Sequence, residues 1–177
     1  MIILKTVKDY IRTIPDFPKE GIMFRDITTI LQDADGFKLA IDDLQKQLEG
    51  VDFDVIAGID SRGFIFGAPL AYNLKKAFVP VRKKGKLPFE TIEESYALEY
   101  GTATVEIHKD AVKKGQKVVL VDDLIATGGS MKAAVKLVER LGGEVVKILF
   151  VIELPDLHGR KALEGYDIYS ASQFEGE

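Results

Sequence analysis

Two adjacent carboxylates and a turn of small residues form the most chemically suggestive segment of this sequence. Asp122 and Asp123 follow an apolar run, and the turn lies just before a helical pattern. Glycine permits close approach and positive φ, so the backbone N–H groups of such a turn can surround an anion. The new helix adds the positive end of its dipole. The segment therefore predicts a phosphate site formed by Thr127, Gly128, Gly129 and Ser130.

The two carboxylates beside this turn require a partner other than phosphate, because like charges repel. Carboxylates accept hydrogen bonds from hydroxyl groups, so Asp122 and Asp123 suit the diol of a ribose. Phosphate and diol together describe a ribose 5-phosphate. The turn also lies where open α/β sheets bind ligands, at the carboxyl end of a strand. The alternative is a capped strand-to-helix turn with a solvated Asp pair, and this segment alone leaves both open.

Composition excludes several other kinds of site. The chain has 177 residues and a formal net charge of −4, so a general nucleic-acid or membrane footprint is not expected. Cysteine is absent, which removes disulfides, thiolate catalysis and zinc-finger sites and fits a reducing compartment. No apolar stretch approaches the roughly 20 residues of a spanning helix. We expect a cytoplasmic protein that has neither a membrane nor a nucleic-acid partner.

Apolar runs alternate with helical patterns along most of the chain. This alternation predicts a single α/β domain over residues 1–177, with a parallel sheet flanked by helices. Residues 102–108 alternate apolar and polar side chains instead, which indicates an antiparallel or edge strand. The expected strands are 54–59, 77–81, 117–121 and 145–152, and the expected helices are 5–14, 37–48, 66–76 and 131–141.

Residues 82–100 form a long connection with little apolar periodicity. It begins with a cluster of cations that includes Lys83 and Lys86 and then becomes acidic. Loops of this length in a compact domain are usually functional lids or disordered segments. The basic cluster favours a lid that meets a polyanion, and a mobile solvated excursion is the alternative.

Residues 118–130 resemble the signature of the type I phosphoribosyltransferases. Three further segments, 17–28, 58–64 and 81–101, resemble in order the N-terminal hood, the diphosphate loop and the mobile loop of the members that act on adenine. Two positions depart from the family pattern. Phe89 replaces the usual Gly after Leu-Pro, which concerns loop bending, and Thr29 replaces a common Pro.

The resemblance implies transfer of a 5-phosphoribosyl group from 5-phosphoribosyl 1-diphosphate to adenine, with Mg²⁺ and in a homodimer. It implies that Glu99, Asp122 and Asp123 are catalytic, and that Mg²⁺ is held mainly by substrate and water. It also implies a cis peptide bond between Asp60 and Ser61. The implied substrate-binding residues are Met23, Phe24, Arg25, Arg62, Lys83, Lys86, Tyr100, Ala126, Thr127, Gly128, Gly129 and Ser130.

Alternatives remain at this point. A sibling enzyme for a 6-oxopurine would share the phosphoribosyl half, although residues 22–25 favour adenine. A transcription regulator that senses the same diphosphate would need a separate basic domain, for which the chain has no room. Taken singly, Arg62 fits a surface or interface ion pair and Phe24 a core position. Arg25 fits either contact with the base or a subunit interface.

Overall fold

The computed structural model describes residues 4–176, and a seven-stranded sheet forms its centre. The sheet order is β5-β6-β4-β3-β7-β8-β9, and a separate antiparallel pair joins β1 to β2. Strands β4, β3, β7, β8 and β9 run parallel, whereas β6 is antiparallel to both β4 and β5. The strands are β1 Arg12–Pro15, β2 Met23–Asp26, β3 Val55–Ile59, β4 Ala77–Lys83, β5 Thr91–Ala97, β6 Thr102–His108, β7 Lys117–Ile125, β8 Glu144–Glu153 and β9 Ile168–Gln173.

Helices cover both faces of the sheet. In β7, Val118 and Leu120 belong to the core under α4, whereas Val119 and Val121 belong to the core on the other face. This division follows the two-residue period of a strand, and it explains why a strand buried on both sides reads as a continuous apolar run. The predicted α/β class is confirmed. The helices are α1 Thr28–Leu31, α2 Ala34–Lys46, α3 Arg62–Leu74, α4 Gly129–Arg140 and α5 Gly159–Ala162.

The helix predicted over residues 5–14 is wrong. A short 3₁₀ helix spans Val7–Tyr10, and β1 follows and pairs antiparallel with β2. Thr13 and Ile14 are β-branched and suit a strand; Ile14 lies opposite Phe24 in that pair. The apolar spacing that imitated a helix therefore belongs to two different elements.

The long irregular connection predicted over residues 82–100 is also wrong in part, because β5 occupies its second half and pairs with β6. Ile92, Glu94 and Tyr96 are the half-buried side of β5. Glu94 faces α4 and forms ion pairs with Lys136 and Arg140 at 3.3 and 3.2 Å. A carboxylate on the inward side concealed the alternation that identifies a strand. That residues 82–100, now including β5 of the β5–β6 hairpin, act as a lid that meets a polyanion stays a prediction.

Smaller differences change where the site residues lie. Strand β7 continues to Ile125, so Asp122 and Asp123 are within the strand rather than after it. Helix α3 begins at Arg62, four residues before its predicted start at residue 66. Strand β9 was not predicted. The Asp60–Ser61 peptide bond is cis, as expected. Within residues 4–176, no helix combines the length and apolar character needed to cross a bilayer.

Candidate active site

Strand β7 presents two consecutive carboxylates at its carboxyl end. Asp122 and Asp123 are 8% and 6% exposed, so both are largely withdrawn from water. The backbone N–H of Asp123 donates to Asp122 Oδ1 at 2.8 Å. Burial raises the pKa of Asp122 well above its usual range, and the neighbouring charge of Asp123 raises it further. A carboxylate that resists ionisation beside a charged one marks a candidate functional site.

Arg62 compensates the second carboxylate. It occupies the first position of α3, directly after the Asp60–Ser61 bond, and its Nε donates to Asp123 Oδ2 at 2.5 Å. The charge of Asp123 raises the pKa of Arg62. Gly63 makes this approach possible, because a Cβ there would lie 2.8 Å from the carbonyl oxygen of Val121 in β7. The sequence left a surface or interface ion pair open as the alternative for Arg62; the side chain is 56% exposed, and its partner is the buried Asp123 of this site.

The predicted phosphate turn has the backbone shape that the sequence suggested. Gly128 has φ +83° and caps α4, which runs for 12 residues behind it. The turn packs on a segment about thirty residues downstream that sequence reasoning did not include. A Cβ on Gly128 would lie 2.6 Å from the carbonyl oxygen of Gly159, and a Cβ on Gly159 would lie 2.4 Å from that of Ala126. Two glycines therefore set the position of the turn.

Three adjoining cavities meet at Arg62 and Asp123. The first, of about 730 Å³, lies beneath β2 and is lined by Met23, Phe24 and Arg25. The second, of about 790 Å³, contains the whole turn 126–130 together with Asp122. The third, of about 190 Å³, reaches Lys83 and the Asp60–Ser61 segment. Because Arg62 and Asp123 line all three, ligands in any two of them would be neighbours.

The first cavity is apolar with a fixed arginine on its wall. Phe24 and Phe17 make an edge-to-face contact with centroids 5.0 Å apart. The guanidinium of Arg25 donates to Thr13 Oγ1 at 2.7 Å and lies 4.6 Å from the ring centroid of Phe174. An apolar pocket with aromatic side chains on its wall suits a planar ring system. Arg25 lines this cavity, and strand β1 and the C-terminal segment hold it in place.

The remaining predicted residues divide into two groups. Glu99 lies at the boundary of the first two cavities, and Lys19 Nζ is 3.9 Å from its Oε1. Lys83 lines the third cavity. Among the described residues, Lys86 and Tyr100 belong to none of the three cavities, and Tyr100 is 81% exposed. Their predicted contacts would require the β5–β6 hairpin, and the turn that precedes it, to move toward the cavities.

Several lining residues escaped sequence reasoning. Tyr96 reaches the second and third cavities from β5, and Leu157 contacts the first two from the segment before α5. Burial raises the pKa of Tyr96, and the charge of Asp122 adds to this. Tyr96 lies within the segment 81–101 that resembles the mobile loop, but no role was predicted for it; its place in the alternation Ile92, Glu94, Tyr96 was a second signal. Leu157 lies outside every recognisable motif, so its role follows from the fold alone.

Comparisons with known proteins agree with this geometry. A sequence model described as phosphoribosyl transferase domain matches residues 28–172. The adenine phosphoribosyltransferase of Agathobacter rectalis is 68% identical over 98% of this chain and 100% of its own length. The solved adenine phosphoribosyltransferase from Thermoanaerobacter pseudethanolicus has a TM-score of 0.92 and 60% identity, covering 95% of this chain and 98% of its own. That from Saccharomyces cerevisiae, complexed with adenine and an imino-altritol bisphosphate, has a TM-score of 0.88 and 42% identity, covering 94% and 96%.

Proposed function

This chain belongs to the phosphoribosyltransferase family, and from that membership we propose which residues carry each part of its reaction. It transfers the 5-phosphoribosyl group from 5-phosphoribosyl 1-diphosphate to adenine, giving AMP and diphosphate, a step of purine salvage. The observation that carries the assignment of residues is the meeting of three cavities at Arg62 and Asp123. One cavity suits each part of the reaction: the base, the sugar phosphate and the leaving group.

The turn 126–130 would hold the 5-phosphate. The turn lines the second cavity at the start of α4, where backbone N–H groups can bind an anion, and the hydroxyl groups of Thr127 and Ser130 would add donors. Gly129 has no side chain on the side of Tyr96, which lines the same cavity, so a phosphate could approach the backbone closely there. Binding of the phosphate would hold the anomeric carbon in a fixed position relative to the base. Such positioning accelerates a reaction between two substrates.

Asp122 and Asp123 would bind the 2- and 3-hydroxyl groups of the ribose. When diphosphate leaves, the anomeric carbon becomes positively charged, and nearby carboxylates stabilise that charge in a cavity with little water. Asp123 is already paired with Arg62, whose Nε donates to its Oδ2. A diphosphate that attracts Arg62 would release Asp123 toward the sugar, so binding of the leaving group would prepare the carboxylate for the transition state.

The leaving group would be met by cations on two different segments. Arg62 and Lys83 line the third cavity, and Arg offers a planar fork that suits phosphate oxygens. Lys86 lies three residues after Lys83 in the same turn and would reach the diphosphate only after the hairpin closes. Tyr100 would then cover the sugar and help to exclude water.

Adenine would lie in the first cavity against Phe24, read by the backbone around Met23 and Arg25. A main-chain carbonyl accepts a hydrogen bond from the 6-amino group, whereas the 6-oxo group of hypoxanthine would oppose it oxygen to oxygen. Glu99, between base and sugar cavities, would exchange a proton with N7 as N9 bonds to the anomeric carbon. Its neighbour Lys19 comes from the loop between β1 and β2, so hood and hairpin meet above the base.

Mg²⁺ is the expected metal, and the donor set fits a shared rather than a protein-built site. Asp60, Asp122 and Asp123 line the small third cavity, yet no group of three or more His, Cys, Asp or Glu in residues 4–176 is arranged to hold a metal. Mg²⁺ commonly keeps waters and binds substrate phosphates with one or two carboxylates. Bound in this way, it would neutralise charge that develops on the leaving diphosphate.

We further propose that the enzyme is a cytoplasmic homodimer and that residues 1–177 form one domain. The family model covers residues 28–172, and the β1–β2 pair before it completes the first cavity. The absence of cysteine fits a reducing compartment. Sedimentation equilibrium of the purified chain would give the subunit number directly.

The decisive assay offers adenine, guanine, hypoxanthine, xanthine and orotate separately with 5-phosphoribosyl 1-diphosphate and Mg²⁺. We expect turnover with adenine and a kcat/KM for hypoxanthine lower by up to about 10⁴. Met23→Leu should leave this ratio nearly unchanged, because the backbone reads the base, whereas Phe24→Ala should raise KM for adenine. Comparable kcat/KM values for adenine and hypoxanthine would refute the assignment of the base cavity.

A further inference from the structure

One buried carboxylate, on β6, has been assigned no role so far. Glu106 is 4% exposed, and its Oε1 accepts hydrogen bonds from three successive backbone N–H groups. These belong to Gly85, Lys86 and Leu87, at 3.1, 3.1 and 3.0 Å. Its Oε2 accepts a longer bond of 3.4 Å from Thr91 Oγ1. The turn after β4 is therefore folded around this one carboxylate.

The arrangement has the character of an anion-binding nest supplied with its own anion. Gly85 has φ +85°, a conformation that lets consecutive N–H groups converge on one point. The three backbone bonds outweigh the effect of burial and lower the pKa of Glu106. Hydrogen bonds to a charged acceptor are about twice as strong as neutral ones. A neutral or truncated side chain would therefore hold the turn much less firmly.

The turn that Glu106 organises follows Lys83, the lysine that lines the third cavity, and contains Lys86, which lies outside that cavity. Lys83 is the last residue of β4 and lines that cavity, and Lys86 donates its N–H to Glu106. Arg82 connects the same turn to the opposite wall: its Nε donates to Asp60 Oδ2 at 3.1 Å and its Nη1 to the carbonyl of Lys86 at 3.4 Å. The turn is thus fixed to β6 and to the segment before Arg62.

We propose that Glu106 is a positioning residue for the leaving group, acting through the turn 83–87 to place Lys83 and Lys86 against the diphosphate. The inference rests on the proposed contact of Lys83 with diphosphate. Glu106 itself faces the turn and not the third cavity, so it would touch no substrate. Its effect should appear in binding of diphosphate and of 5-phosphoribosyl 1-diphosphate, and not in binding of adenine.

The test compares Glu106→Ala and Glu106→Gln with Glu93→Gln in the full-length enzyme. Glu93 is the matched control, because it lies directly opposite Glu106 in the β5–β6 register and carries the same charge, but is exposed and pairs with Lys84. The measurements are the Kd of inorganic diphosphate with Mg²⁺ by calorimetry, and KM for each substrate. Thermal unfolding of each variant reports whether it is folded.

We expect Glu106→Ala to weaken diphosphate binding by about tenfold or more, since the charged hydrogen bonds that order the turn are lost. Glu106→Gln keeps the shape and one acceptor oxygen, so it should fall between Ala and wild type, at about threefold. KM for adenine should stay within twofold of the wild-type value in both, and Glu93→Gln should resemble wild type. If Glu106→Ala fails to fold, the Gln variant alone decides.

Two results would overturn the inference. One is a Kd for diphosphate within the error of wild type in every folded Glu106 variant, and the other is an equal loss of affinity for adenine, which would indicate a general structural defect. Lys83→Ala separates the two proposals. If it leaves diphosphate affinity unchanged, the assigned role of Lys83 is wrong and the role of Glu106 falls with it. If it weakens binding while the Glu106 variants do not, only the positioning role is wrong.

Discussion

Two carboxylates in this molecule are almost equally hidden from water, and their surroundings shift their pKa values in opposite directions. Asp122 is 8% exposed and Glu106 4%. Burial and the charge of Asp123 raise the pKa of Asp122, whereas three backbone N–H groups lower that of Glu106. Burial alone therefore does not determine what a carboxylate contributes. A carboxylate that accepts hydrogen bonds from several donors stabilises the folded state. A carboxylate that faces a cavity beside another carboxylate destabilises the folded state, but it is placed where it could act on a ligand.

The largest expected effect concerns the cavity-facing pair. Replacing both members, Asp122→Asn with Asp123→Asn, should lower kcat by about 10²–10³, because charge stabilisation specific to the transition state is lost. Steady-state kinetics with saturating adenine measures the loss, and circular dichroism confirms that the variant is folded. A double variant that turns over at nearly the wild-type rate would remove these residues from the mechanism.

The next effect concerns the stability that Glu106 provides. Glu106→Ala leaves three N–H groups without their acceptor, and the midpoint of thermal unfolding should fall by about 5 °C or more. Glu93→Gln removes an exposed charge at the opposite position on β5 and should change the midpoint by only about 1 °C. Differential scanning calorimetry checks both values. Equal shifts in the two variants would contradict the idea that the backbone donors make the difference.

A smaller change in the midpoint of thermal unfolding, of opposite sign, is expected for a substitution in the candidate active site. Asp122→Asn removes a carboxylate whose ionisation is unfavourable in the folded state, so at neutral pH the variant should unfold a few degrees higher than wild type. Activity should fall in the same variant, which makes it a direct measure of stability given up for function. A lower unfolding midpoint at pH 7 would show that Asp122 is compensated in a way that its surroundings do not suggest.

The smallest expected effects are the changes with pH in the stability differences between wild type and the Asp122 and Glu106 variants. An unfolded Asp titrates near about 3.9 and an unfolded Glu near about 4.3. The raised pKa of Asp122 means that wild type loses stability as pH rises above about 4, so the gain of Asp122→Asn should grow with pH. The lowered pKa of Glu106 means that its contribution is present above about 4.3 and is lost in acid, so the deficit of Glu106→Gln should shrink there. Melting curves from pH 3 to 8 should show differences of opposite sign that both diminish in acid; differences of the same sign at pH 7 would contradict the comparison.

The same contrast explains how much of the molecule was predictable from its sequence. The class of the fold was predictable, because strands that are buried on both faces have uninterrupted apolar sequences. The backbone shape of the turn 126–130 was predictable as well, because a glycine between a strand and a helix permits the positive φ that Gly128 adopts. Strand β5 was not, because Glu94 faces inward and is matched by Lys136 and Arg140 of a distant helix. A pattern of polar and apolar residues cannot reveal a half-buried charge whose partner lies elsewhere in the chain.

The nest around Glu106 escaped notice for a related reason. Its donors are backbone groups, which every residue possesses, so no side-chain type marks Lys86 or Leu87 as part of it. The one visible sign was Gly85. The strand β1 was likewise hidden, since its pairing with β2 depends on residues ten positions away, and the apolar spacing of residues 7–14 alone satisfied a helical period.

The contact between Gly128 and Gly159 has a consequence for recognising relatives of this protein. The thirteen-residue signature from Val118 to Ser130 contains the groups that would touch the sugar phosphate, but Gly159 determines whether they have room to adopt that shape. A homologue could retain the signature letter for letter and lose the phosphate site through one added methyl group at position 159. Gly128 and Gly159 together are therefore a better indication that a homologue keeps the phosphate site than the continuous signature alone.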